Sequence, residues 1–227
     1  MNEIIDTTNP DYKVYCKIFH HKGDGAYNGA YYYSKEIVEN IIPLVETERP
    51  WDTLGLRCTK SMDHAIVFLH HNLDWDRVYG WLSRYDDLVY VCSTEATYEW
   101  ASQQHNGHAI LLPLSVDVDY VKQFRTKKTK DACYAGNRWP FKEKDLAKYL
   151  DQHVEVLPNM PRDELLAVMA EYKDCYAVGR TAIEAKILKC KIKVCDSRFP
   201  DPDYWKVLDN KKAAKMLQKE LDRIDLV

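Results

Sequence analysis

Short apolar runs separated by stretches of helical periodicity organise the chain. Tyr12 to Phe19 (YKVYCKIF) reads as a first strand and ends in the polar, glycine-containing loop His20 to Gly29. A helix then opens near Ser34, with Ile37, Ile41 and Val45 on one face. Ala65 to Leu69 (AIVFL) and Leu88 to Cys92 (LVYVC) are apolar throughout, the pattern of strands buried on both faces of a parallel sheet. A helix around Glu95 to Gln104 and a strand at Ala109 to Leu112 follow. Strands alternating with helices predict the α/β class with a mainly parallel sheet.

The stretch Lys122 to Lys130 (KQFRTKKTK) has no apolar periodicity and is strongly basic, so it reads as a linker between residues 1–121 and 131–227. Beyond it the alternation restarts. Ala132 to Ala135 predicts a strand, Gly136 and Asn137 a turn, and a helix begins near Lys142. Val154 to Leu157 is the next strand, and Pro161 opens a helix lined by Leu165, Val168, Met169 and Tyr172. Cys175 to Val178, Thr181 to Leu188 and Ile192 to Cys195 continue as strand, helix and strand. From Lys211 the pattern is helical, with Ala214, Leu217, Leu221 and Ile224 spaced for burial, and the helix is expected to close the second domain.

Composition narrows the picture. The 227 residues allow two modest domains, and 46% hydrophobic against 30% charged side chains supports a folded core. A formal charge of −3 gives no global attraction to nucleic acid or anionic membrane. The longest aliphatic and aromatic runs are too short to span a bilayer, and Met1 to Pro10 lacks the basic start and apolar run of a secretory signal, so a cytoplasmic protein without a membrane span is expected. Seven cysteines with no CxxC pair read as reduced core thiols.

Candidate chemistry concentrates in Cys175 to Asp196, where a strand ends at Gly179 and a helix starts at Arg180 and Thr181, with Glu184 one turn in. Glycine lets a ligand approach the backbone, a helix N-terminus offers free N–H groups to phosphate, and a carboxylate accepts bonds from ribose hydroxyls. The same residues also suit an ordinary strand-to-helix turn with a surface glutamate. His70 and His71 end an apolar run, and with His20 and His21 they raise a metal site. Adjacent side chains at a strand end point apart, however, and no further ligand stands at helical spacing, so no metal is expected.

The frame formed by Gly179, Glu184 and Ala185 resembles the nucleotide-binding signature of retaining GT-B glycosyltransferases. Tyr176 stands where that family has its first acidic residue, the one that meets the donor sugar. Cys133 to Lys142 (CYAGNRWPFK) is similar to the family's diphosphate loop through Gly136, Arg138 and Lys142, with the arginine displaced by one place. Gly23 and Gly25 lie in the position of the family's glycine-rich loop, and His70 and His71 in that of its cleft histidine.

The resemblance implies two small Rossmann-like domains of GT-B type with a cleft between them, and a hexosyltransferase-type activity. The donor is expected to be a nucleoside diphosphate sugar, of the UDP class, with no cofactor required. It would be held by Gly136, Arg138, Lys142, Gly179, Arg180, Thr181 and Glu184. Gly23, Gly25 and Tyr176 would lie on the sugar side, and His70 or His71 would act at the sugar. The acceptor is unassigned, a glycan and modified DNA both being compatible, and a non-catalytic nucleotide- or partner-binding module on the same fold is the alternative.

Overall fold

The computed structural model describes residues 14–15, 29–53, 63–69, 75–136, 150 and 153–225. Their contacts divide the chain into two units, the first holding Ala30–Pro113 and Lys211–Val227, the second Leu114–Asn210.

In the first unit, β1 (Val14–Tyr15), β2 (Trp51–Asp52), β3 (Ile66–Leu69), β4 (Leu88–Cys92) and β5 (Gly107–Leu111) form a parallel sheet in sequential order. All residues of β3 and β4 are buried, which is why both read as unbroken apolar runs. On one face Val67, Leu69, Leu88, Tyr90 and Cys92 pack with Tyr79 of α2 (Trp75–Tyr79), with Leu82 of the following 3-10 turn and with Ala101 of α3 (Glu95–Ala101). On the other, Phe68 stacks on Trp51 at 6.1 Å and meets Tyr33 of α1 (Gly29–Asn40) edge-on at 6.4 Å. Thr94 caps α3 by accepting from the Thr97 N–H, satisfying one of the open donors of its first turn.

The last helix, α7 (Asn210–Ile224), buries Ala213, Ala214, Leu217 and Leu221. The Gln218 side-chain amide exchanges two hydrogen bonds with the Glu46 backbone, and the Arg49 guanidinium donates to Asp225 at 3.0 and 3.1 Å. The terminal helix therefore belongs with the first unit and not, as the linear order implied, with the second.

Arg49 also reaches Asp87, whose carboxylate takes His64 Nδ1 at 2.7 Å, and both His64 (φ 61) and Asp87 (φ 52) occupy the left-handed region. Burial alone would raise the Asp87 carboxyl, but the His64 hydrogen bond and the Arg49 charge outweigh it and hold the group below its ordinary value of 3.8. A folded value below the unfolded one stabilises fully above the unfolded pKa, and the gain is lost as pH falls through the folded pKa. On acidification from about pH 5 to about pH 3, the melting temperature of the wild type should fall more steeply than that of Asp87→Asn, a substitution the left-handed backbone tolerates. Parallel melting curves for the two proteins would show the cluster to be without effect on stability.

In the second unit, β6 (Lys130–Tyr134), β7 (Glu155–Val156), β8 (Tyr172–Tyr176) and β9 (Lys191–Lys193) form a parallel sheet in the order β7-β6-β8-β9. Its main core joins Cys133 and Cys175 of the sheet to Val121 of α4 (Val118–Lys122), Leu166 and Met169 of α5 (Arg162–Met169), and Ala182, Ile183 and Ile187 of α6 (Gly179–Ile187).

The expected linker 122–130 is part of this unit. Arg125 Nε donates to the Ile187 carbonyl at 2.7 Å, the Thr129 and Lys130 N–H groups both donate to the Glu171 carbonyl, and Lys130 begins β6. The break falls instead between Pro113 and Leu114. Tyr172, expected on a helix, begins β8, because α5 ends at Met169 and the chain turns at Ala170 and Glu171.

Among the described residues no helix is long and apolar enough to cross a membrane. Cys92, Cys133, Cys175, Cys190 and Cys195 are buried free thiols, and burial pushes Cys92 and Cys195 up to about 12, leaving both protonated at neutral pH.

Candidate functional site

The second sheet contains a point where its strand order reverses. β7 lies on one side of β6 and β8 on the other, so the loops leaving β6 and β8 diverge at their carboxyl ends. In open parallel sheets such a point opens the crevice in which ligands bind. Here the two ends are Gly136 beyond β6, and Ala177 to Gly179 beyond β8.

Gly179 has φ +62, and a Cβ built there would meet only Leu114 Cδ1 at 3.9 Å. The backbone twist selects glycine at this position, not crowding. Residue 179 opens α6 behind Val178, which is extended and provides no side-chain cap, and the first turn holds no acidic residue. The N–H groups around Arg180 and Thr181 therefore have no side-chain cap from Val178.

Glu184 is 3% exposed, so it is not a surface glutamate. Its Oε1 atom accepts from Arg180 Nε at 2.9 Å, one helical turn back, and from Arg162 Nε at 2.9 Å, with Arg162 Nη2 also 2.9 Å away. Glu184 Oε2 makes no hydrogen bond among the described residues. The Arg162 guanidinium also lies over the Tyr120 ring, 5.3 Å from its centroid. One carboxylate oxygen thus serves two guanidinium groups. Arg162 is the first residue of α5 and Arg180 the second of α6, at helix ends that carry positive partial charge. Cations are disfavoured there unless anions join them; Glu184 is one, and Asp163 and Glu164 stand in the first turn of α5.

Tyr176 ends β8 with its ring buried against Tyr134 and Cys195. Beside it, beyond β9, the carboxylate of Asp196 is 1% exposed and takes Arg198 Nη2 at 2.6 Å and Nε at 3.0 Å. Neither Arg162 nor this Asp196–Arg198 pair belongs to the sites expected from the sequence. A signal for Arg162 exists: it stands directly after Pro161, in the first turn of a helix, where a base runs against the dipole and needs a reason.

Of the residues singled out from sequence, the structure gathers Gly179, Arg180, Thr181 and Glu184 on α6 and places Gly136 and Tyr176 at the ends of the two central strands. Gly23, Gly25, His70, His71, Arg138 and Lys142 lie outside the described residues. Among the described residues no group of three or more His, Cys, Asp or Glu side chains is placed to hold a metal ion. The chain matches no protein-family model and no curated protein.

Proposed function

We propose that the chain transfers a sugar from a nucleoside diphosphate donor of the UDP class to an acceptor, with the nucleotide seated at the carboxyl edge of the second sheet. The observation that supports this most is the divided carboxylate of Glu184: one oxygen clamped by two arginines, the other without a hydrogen bond among the described residues, at the point of strand reversal. Glu184 Oε2 would accept from ribose hydroxyls. The amides that open α6 around Gly179, Arg180 and Thr181 would receive phosphate oxygens, and the positive ends of α5 and α6 would stabilise the leaving diphosphate.

The GT-B resemblance adds Gly136, Arg138 and Lys142 on the diphosphate, Gly23 and Gly25 near the sugar, and His70 or His71 at the reacting carbon. Catalysis would then rest on positioning and on neutralising the leaving group.

A second reading, a nucleotide-binding module without transfer, is favoured by one feature. Tyr176 puts a buried ring where the resemblance calls for a carboxylate. The two readings share the site and differ in turnover.

Calorimetry of the full chain with UDP tests the site. Glu184→Gln keeps the size of the side chain but removes its charge, and should weaken binding about tenfold, the equivalent of one charge-assisted hydrogen bond of about 1.5 kcal/mol. Unchanged affinity, or no affinity for any nucleoside diphosphate in the wild type, would remove this site. Nucleotide release from UDP-sugars, with and without candidate glycan or DNA acceptors, then separates a transferase from a binding module.

A further inference from the structure

The outer strands of the two sheets differ in how they are guarded against pairing with another chain. In the second sheet these are β7 and β9. β9 reads KIK with Lys191 exposed, and β7 begins with Glu155. In the first sheet they are β1, bracketed in sequence by Lys13 and Lys17, and β5. Charges at an edge oppose strand addition, because pairing would take them out of water. β5 has none of this. From Trp100 to Val116 the chain contains no Asp, Glu, Lys or Arg, although 30% of its residues are charged. β5 (GHAIL) lies inside that stretch, holds no proline, and runs along β4 in unbroken register without a bulge.

The hydrogen-bond phase of β5 shows which of its groups face outward. The ladder to β4 opens with Leu88 N–H donating to the Asn106 carbonyl and closes with Leu112 N–H donating to the Cys92 carbonyl. With Leu88, Tyr90 and Cys92 opposite Gly107, Ala109 and Leu111, the even-numbered residues 106 to 112 bond to β4. Gly107, Ala109 and Leu111 therefore direct their N–H and C=O groups away from the sheet, and among the described residues these groups make no hydrogen bond on that side. Leu111 is 37% exposed, one of the few large apolar side chains of the first unit that are.

We infer that β5 pairs antiparallel with β5 of a second copy of this chain, about a two-fold axis at Ala109, joining two five-stranded sheets into one. The sequence of the strand selects a copy of itself as the partner. About that axis Ala109 meets Ala109, and each of the three outward-facing residue pairs exchanges N–H···O=C bonds in both directions. Leu111 then stands opposite Gly107 of the second copy, where no side chain competes for the space. Because Trp100 to Val116 is uncharged, self-pairing brings no like charges together on the strand, whereas β9 paired with itself would set lysines against lysines. The inference does not depend on the nucleotide site, which belongs to the second unit.

The test is sedimentation velocity of the full chain across about a 100-fold range of concentration, over which a reversible dimer should appear as the concentration rises. Ala109→Pro removes the N–H groups at the centre of the proposed pairing and leaves the ladder to β4 intact, since the Ala109 N–H points outward. It should weaken dimerisation at least ~10-fold. Leu111→Lys places a charge on the exposed edge, should have the same effect, and should leave circular dichroism unchanged; it decides the matter if the proline variant does not fold. Leu44→Lys, at an apolar residue of the first unit that is 52% exposed, is the control and should dimerise as the wild type does. A wild type that stays monomeric at every concentration would overturn the proposal. So would a dimer that survives Leu111→Lys, or one lost equally in Leu44→Lys.

Discussion

Glu184→Ala is expected to cost about 3–5 kcal/mol of unfolding free energy, the range for removing one partner of a buried ion pair and leaving its counter-charge without compensation. Here two arginines share the carboxylate that is removed. The Arg162 and Arg180 side chains are 15% and 11% exposed, and Glu184 is the carboxylate that both reach. With the carboxylate gone, the two guanidinium groups lose the acceptor on which they converge. Either they swing into water, giving up the packing of Arg162 on Tyr120, or α5 and α6 separate. Urea denaturation followed by far-ultraviolet circular dichroism reads the loss. A change below about 1 kcal/mol would mean that the arginines find other partners and that the cluster does not hold the two helices together. Glu184→Gln, which can still accept a bond, should lose less.

The same cluster connects stability with the proposed activity. Because Oε1 is committed to the arginines, the orientation of Oε2 is fixed before any ligand arrives, the condition under which a hydrogen bond to a substrate costs least ordering. It also means that alanine is the wrong probe of binding at this residue, since lost affinity and lost fold would coincide; the glutamine variant separates them.

What could be read from the chain follows from how local each cause is. β3 and β4 are legible because strands covered on both faces must be apolar at every position, and IVFL and LVYVC are. Glu184 was found because Gly179 and the helix behind it are a local pattern. Its state was not, since Arg162 approaches from 22 residues away and turns an expected surface carboxylate into a buried one. The segment 122–130 misled for a related reason. Its lysines and arginine match the composition of a solvated linker, while the contacts that anchor it, to the carbonyls of Ile187 and Glu171, are made by an arginine fork and by backbone N–H groups that composition does not register. The periodicity of α7 shows a buried face without naming the surface it is buried against; that is decided by contacts with Glu46 and Arg49, made across 172 and 176 residues of chain.

Gly107→Ala should be the most damaging single-methyl addition in the first sheet, lowering stability by about 3 kcal/mol, the upper part of the range for overpacking. Gly107 begins β5 directly opposite Leu88, and a Cβ there would lie 2.3 Å from the Leu88 carbonyl oxygen, 2.9 Å from its carbon and 2.9 Å from Tyr90 Cε2. Two of the three atoms are backbone, so no rotamer change relieves them. The third is held as well, because the Tyr90 hydroxyl donates to Asn106 Oδ1 at 2.8 Å while Asn106 Nδ2 donates to the carbonyls of Leu82 and Tyr85. Relief therefore requires β5 to move away from β4, breaking a ladder that includes Leu88 N–H to Asn106 O at 2.9 Å and opening the core face on which Tyr90 packs. Gly80→Ala is the matched control, since a Cβ at that position meets nothing within 4 Å. The measurement is the urea midpoint of each variant against wild type, with near-ultraviolet circular dichroism reporting the Tyr90 and Trp100 rings, whose centroids are 6.4 Å apart. Gly80→Ala should leave both signals in place, and Gly107→Ala should lower the midpoint and flatten the aromatic signal. Equal stability of the two variants would show that Gly107 does not face Leu88 and that the register of β5 on β4 is shifted.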